Sequence, residues 1–151
     1  MEKITAFFDS IDLAKLVPEL DTLLGKVQTV TTVALLIGPI LMLVFGLWFF
    51  FLPPKEANHQ AGFRTWFGMG SVAAWRFTQR LAGIIWGGLG LILTVVMVII
   101  SITFGSKDIM GIVNTAFVAL IWQVGLALIS YLVICVIVTI CFDSKGNLRR
   151  K

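Results

Sequence analysis

Charged side chains are scarce: Asp, Glu, Lys and Arg make up 13% of the 151 residues, against about 25% in an ordinary soluble domain. Three stretches, Val30 to Leu52, Leu81 to Phe104 and Ile112 to Phe142, contain none of them and no histidine. Proton and ion pathways usually need ionisable groups inside the bilayer, so their absence argues against an autonomous ion-coupled pump. Histidine occurs once, at His59, without companion ligands, and reads as a solvated loop residue. The two cysteines, Cys135 and Cys141, lie six positions apart on different faces of one apolar stretch, with no histidine or carboxylate beside them. That spacing makes a metal or redox pair improbable and leaves two apolar thiols. No P-loop, GxSxG, HExxH or paired-carboxylate constellation is present, so the sequence points to no enzyme, no cofactor and no metal.

What fills the chain instead is apolar: 58% of residues are hydrophobic. Each of the three uncharged stretches can cross a hydrocarbon core of about 30 Å as a helix rising about 1.5 Å per residue. One compact soluble domain would need polar helix faces, and there are none. The predicted fold class is an all-α integral membrane protein with three transmembrane helices, about 30–52, 72–104 and 112–142, and an N-terminal amphipathic interfacial helix. The third stretch exceeds one crossing and is expected to tilt or to begin with an interfacial turn near Asn114.

Residues 1–29 form the soluble-looking arm, where Leu13, Leu16, Val17, Leu20, Leu23, Leu24 and Val27 repeat at helical spacing. Pro18 should divide this arm into a short helix and a second one from about Pro18 to Leu24, stopped by Gly25. It is expected to lie on the outer leaflet with Phe7 and Phe8 dipping in, or to bind a partner. The first loop covers residues 53–80, and 143–151 form a basic tail. The arm (Lys3, Lys15, Lys26) and the second loop (Lys107) hold four basic residues on one side. The first loop (Lys55, Arg64, Arg76, Arg80) and the tail (Lys145, Arg149, Arg150, Lys151) hold eight on the other. The richer side should be cytoplasmic and the N-terminus outside. The net charge of +4 then reads as a topology signal and an attraction to membrane lipids, with no nucleic-acid partner.

Within the stretches, small residues mark packing faces. Ala34 and Gly38 precede Pro39, which frees a carbonyl one turn back, and Gly46 follows. Gly83 and Gly87 form a small-xxx-small pair beside Gly88 and Gly90. The third stretch has one strongly polar mid-membrane group, Gln123, which is expected to make an interhelical hydrogen bond.

The first loop is not a simple linker. Pro53 and Pro54 stop the first helix. Gly62, Gly68 and Gly70 permit turns, and Phe63, Trp66, Phe67, Met69 and Trp75 suit the membrane interface. Ser71 can cap a helix that starts at Val72 and runs on into the second transmembrane helix, setting Trp75, Arg76 and Arg80 at headgroup depth. Asn58 and Arg64 are candidates for the hydrogen-bonding core of a rigid loop, the guanidinium joining helix-end carbonyls to a lipid phosphate.

The order Pro54-Lys55, Asn58, Gly62-Phe63-Arg64-Thr65, Trp75-Arg76, Thr78, Arg80 and Gly83 resembles the signature of the SdpI family, bacterial membrane proteins named for an immunity protein against a secreted killing factor. It covers residues 53–83 and the flanking helices, roughly half the chain. Trp66 stands where the family usually has proline, and Ser71-Val72-Ala73-Ala74 where it usually has an acidic residue. The resemblance implies a bacterial plasma-membrane protein active in toxin immunity or membrane sensing, with Asn58, Gly62, Arg64, Thr65, Trp75, Arg76, Thr78 and Arg80 as contacts to a partner or to lipid headgroups. The composition also suits an accessory subunit of a larger membrane complex or, more weakly, a small-molecule transport component. Three helices enclose little volume, so any deep cavity would need an oligomer.

Overall fold

The computed structural model describes residues 13–55 and 62–149, with side chains from residue 18 onward. It is built from three long helices: α1 (Leu13–Phe51), α2 (Val72–Ile102) and α3 (Ile109–Cys141), with a 3-10 turn, Thr103–Ser106, after α2. Each is long and apolar enough to cross a membrane, with mean hydropathy of 2.5, 2.5 and 2.8 in turn. Large apolar side chains such as Ile37, Leu41, Ile92, Phe117 and Leu132 are exposed along all three. In water such a surface would aggregate, whereas in a bilayer it is the lipid-facing side.

The elements begin and end where side chains satisfy backbone groups. Ser71 caps α2 by accepting a hydrogen bond from the Ala74 amide at 3.1 Å, and Asp108 caps α3 through the Gly111 amide at 3.2 Å. The third helix thus starts earlier than the apolar pattern alone suggests.

The N-terminal expectation is corrected. Helix α1 is continuous through Pro18 and Gly25 and has 39 residues, so no separate interfacial helix stops at Gly25. A glycine costs about 1 kcal/mol in a helix interior, too little to end a segment that continues into a long apolar helix. At about 1.5 Å per residue α1 is roughly 58 Å long, nearly twice the hydrocarbon thickness. Its exposed charged residues Glu19, Asp21 and Lys26 lie in the protruding part. Residues 1–12, with Phe7 and Phe8, fall outside the described residues, as do the side chains of Leu13, Leu16 and Val17.

Helices α1 and α2 are the most closely apposed pair, antiparallel and almost backbone to backbone. A Cβ on Gly83 would stand 2.7 Å from the Phe50 nitrogen, one on Gly90 2.5 Å from the Leu43 nitrogen, and one on Gly46 would fall onto the backbone of Gly87. Gly87 itself is looser, its nearest atom being the Gly46 carbonyl carbon at 3.8 Å. Only glycine at the tight positions lets the two backbones approach this far.

Among the described residues, helix α3 is tied to this pair by one polar contact. Pro39 has no N–H, so the Leu35 carbonyl lacks its helical partner. The Gln123 side-chain amide donates to that carbonyl at 3.1 Å, in a buried setting. Around it pack Leu35, Met42, Leu93, Met97, Ala116 and Ala119. Gln123→Leu is expected to cost about 1 kcal/mol, within the range of hydrogen bonds between membrane helices. The cost should shrink in a Pro39→Ala background, where residue 39 regains an N–H for Leu35. Thermal melts of the four proteins in a double-mutant cycle check this.

Candidate functional site

The first loop and the C-terminal tail meet at one end of the bundle. Ser71 Oγ, besides capping α2, donates to the Gly146 carbonyl at 2.7 Å. The tail is a small hairpin with Phe142 paired to Leu148. Asp143 closes its turn by accepting hydrogen bonds from the Asn147 and Lys145 amides at 2.8 and 2.9 Å. The Asn147 backbone donor chiefly holds the Asp143 carboxyl below its usual range, helped by the Asn147 side chain, Lys145 and Arg149. A depressed carboxylate supports the folded hairpin at neutral pH, and that support is lost as pH falls through the lowered value.

Residues 62–70 fold back on the helix ends around two buried side chains of α2. Trp75 is fully buried, and its indole N–H donates to the Pro54 carbonyl at 2.8 Å. It therefore does not face lipid, as its type suggests; protein surrounds it because the loop folds over that face of α2. One turn further on, the Gln79 amide grips the backbone of Phe63 from both sides: Nε2 donates to the Phe63 carbonyl and Oε1 accepts from its N–H, each at 2.8 Å. Gly62, at φ +116°, occupies a left-handed conformation that favours glycine, and a Cβ there would meet the Trp75 ring at 2.6 Å.

Phe63 is the plug that this clamp positions. It is buried, and its ring meets Phe49 of α1 at 6.5 Å, Trp86 of α2 at 5.1 Å and Tyr131 of α3 at 5.4 Å. One loop residue thus touches all three helices, where its composition alone suggests a lipid-interface group. Beyond it, the buried Thr65 accepts from the Gly68 amide at 3.0 Å and closes the 66–69 turn. Gly68 packs against the Thr65 and Thr78 hydroxyls, and Thr78, also buried, donates to the Ala74 carbonyl at 2.8 Å.

Arg64 and Trp66 face the other way. Trp66 is 84% exposed, and Arg64 is exposed and makes no hydrogen bond to a described residue. Both line an open pocket of about 360 Å³ whose far wall is Tyr131, Cys135 and Thr139 of α3. The hydrogen-bonding centre of the described loop is therefore Gln79, in place of the expected Arg64. Asn58 and His59 lie outside the described residues. Arg76 and Arg80 are exposed on a different face of α2 from Trp75, Thr78 and Gln79.

Sequence reasoning passed over Gln79, which stands between Thr78 and Arg80. The available signal was a neutral amide exactly one helical turn after Trp75, at the threshold of an apolar helix. Among the described residues no group of three or more His, Cys, Asp or Glu could hold a metal. The buried side-chain donor without a partner there is the Trp86 indole N–H, beneath the Phe63 ring. Compared with protein-family models, with curated proteins and with solved structures, the chain matches none.

Proposed function

We propose that this is a non-enzymatic membrane protein of the toxin-immunity or membrane-sensing kind, as the resemblance to the SdpI family implies. It uses the outward edge of the first loop, Arg64 and Trp66, to bind a partner or a lipid headgroup. The observation that carries this reading is the division of labour in the loop. Gln79 fixes the backbone of Phe63 from within, and the neighbouring arginine and the exposed tryptophan are held outward, the arginine with no hydrogen bond to a described residue. A guanidinium and an indole side by side suit a phosphate or carboxylate set against an apolar surface. The loop and tail share one end of the bundle; the excess of basic residues supports a cytoplasmic place for that end, with the N-terminus outside, and the resemblance implies a bacterial plasma membrane.

The test is survival of a strain lacking the gene when challenged with secreted membrane-active toxins. Wild type should restore protection, while Arg64→Ala and Arg64→Lys should weaken it about 10–100-fold, since lysine keeps the charge and loses the fork. Thermal stability of both variants should stay at the wild-type value. Full protection by Arg64→Lys would leave Arg64 as one more positive charge. Indifference of the deletion strain to every toxin, with a stoichiometric complex in native mass spectrometry, would favour the accessory-subunit reading.

A further inference from the structure

At the same end of the bundle, but away from Arg64, lies a surface that combines a cluster of cations with an apolar channel. Lys55, Arg76 and Arg80 line a pocket of about 240 Å³ together with Pro53 and Pro54. The two arginines also line the mouth of a groove of about 570 Å³, whose depth is Phe77, Leu81 and Ile84 of α2 and whose far wall is Phe142 and Leu148 of the tail. Among the described residues no carboxylate lines either space. Arg76 and Arg80 are one helical turn apart, so both guanidinium groups can reach one anion.

This surface is held in place. The Trp75 indole grips the Pro54 carbonyl and so keeps Lys55 beside the arginines. The hydrogen bond from Ser71 to Gly146 and the Phe77–Phe142 ring contact, at 5.4 Å, seat the tail hairpin as the second wall. The hairpin presents Leu148, 69% exposed, toward the groove. Below Arg80 the groove runs on about 6 Å along α2 to Ile84, enough to hold the upper part of an acyl chain.

We infer that this is a binding site for one anionic phospholipid, with its phosphate on Lys55, Arg76 and Arg80 and an acyl chain laid between α2 and the Phe142–Leu148 hairpin. The positive mouth selects the anion, and the apolar channel below it selects a lipid over a free phosphate. Occupancy fastens the tail to α2 and so stabilises the end of the bundle that carries the loop. The inference rests on the membrane-spanning fold and is independent of the immunity reading.

The experiment is native mass spectrometry of the full chain from mixed micelles holding equal amounts of phosphatidylglycerol and phosphatidylcholine. Wild type should retain phosphatidylglycerol in preference. Arg76→Gln with Arg80→Gln should lower that preference about 30-fold, roughly five-fold per basic residue at a membrane surface. Leu148→Ser should lower retention with all cations intact. Lys145→Gln with Arg149→Gln removes the same charge at the same end, at two exposed residues that do not line the groove, and should leave the preference near wild type. An equal loss in that control pair would reduce the effect to the general field of the basic surface and overturn the site. Displacement of the lipid by glycerol phosphate alone, or undiminished retention in Leu148→Ser, would overturn the acyl channel.

Discussion

Gly46→Leu is expected to cost about 3 kcal/mol, the upper end of the overpacking range, read as a lowered melting temperature in detergent. A Cβ at this position already falls onto the Gly87 backbone, and a backbone cannot rotate aside as a side chain can. The helices must separate, which also loosens the neighbouring close approaches of Gly83 to Phe50 and of Gly90 to Leu43. Gly46→Ala should share most of this loss. Gly87→Ala, across the same interface, should be neutral or stabilising, because its Cβ would meet nothing nearer than 3.8 Å and alanine is the better helix former by about 1 kcal/mol. Equal damage from the two alanine substitutions would mean that the α1–α2 seam is not the tight contact described.

Gln79→Leu should have a comparable effect, confined to the loop. Leucine roughly keeps the volume but leaves both the N–H and the carbonyl of the buried Phe63 without partners. At about 1–3 kcal/mol for each unsatisfied group, the closed loop loses about 2–6 kcal/mol. Such a loss favours local opening over unfolding of the bundle. Protease cleavage within 62–70 should rise sharply while the helices stay intact. Gln79→Glu should not rescue, since it keeps an acceptor for the Phe63 N–H, removes the donor to the Phe63 carbonyl and buries a charge. An unchanged cleavage rate in Gln79→Leu would show that the aromatic contacts of Phe63 hold the loop without the clamp.

The contrast between Gln79 and Arg64 shows where sequence reading succeeds and where it stops. Three uncharged stretches announce three membrane-length helices because charge is costly in hydrocarbon, and the stop at Pro53-Pro54 and the cap at Ser71 are local backbone chemistry. Helix α1 begins earlier than expected because Gly25 is a weak local breaker, overridden by continuity with the apolar segment, and because the helix runs through Pro18 as it does through Pro39, each leaving one carbonyl without its helical partner. Pro39 reads as a source of one free carbonyl and Gln123 as a seeker of one partner. That they satisfy each other is tertiary information, absent from either local pattern. Trp75 and Phe63 look like interface residues by type, yet the fold buries both, because one loop covers one face of α2 and sends Phe63 in among all three helices. Gln79 escapes notice for a related reason: its worth lies in the backbone of a residue far from it in the chain.

That Gln79 builds the loop while Arg64 is displayed by it can be read at one atom, the backbone N–H of Phe63, by hydrogen exchange in detergent or nanodiscs. Exchange should be slow in wild type and equally slow in Arg64→Ala, and faster by about 30-fold or more in Gln79→Leu, as a loss of at least about 2 kcal/mol requires. Fast exchange in Arg64→Ala, or protection persisting in Gln79→Leu, would contradict it.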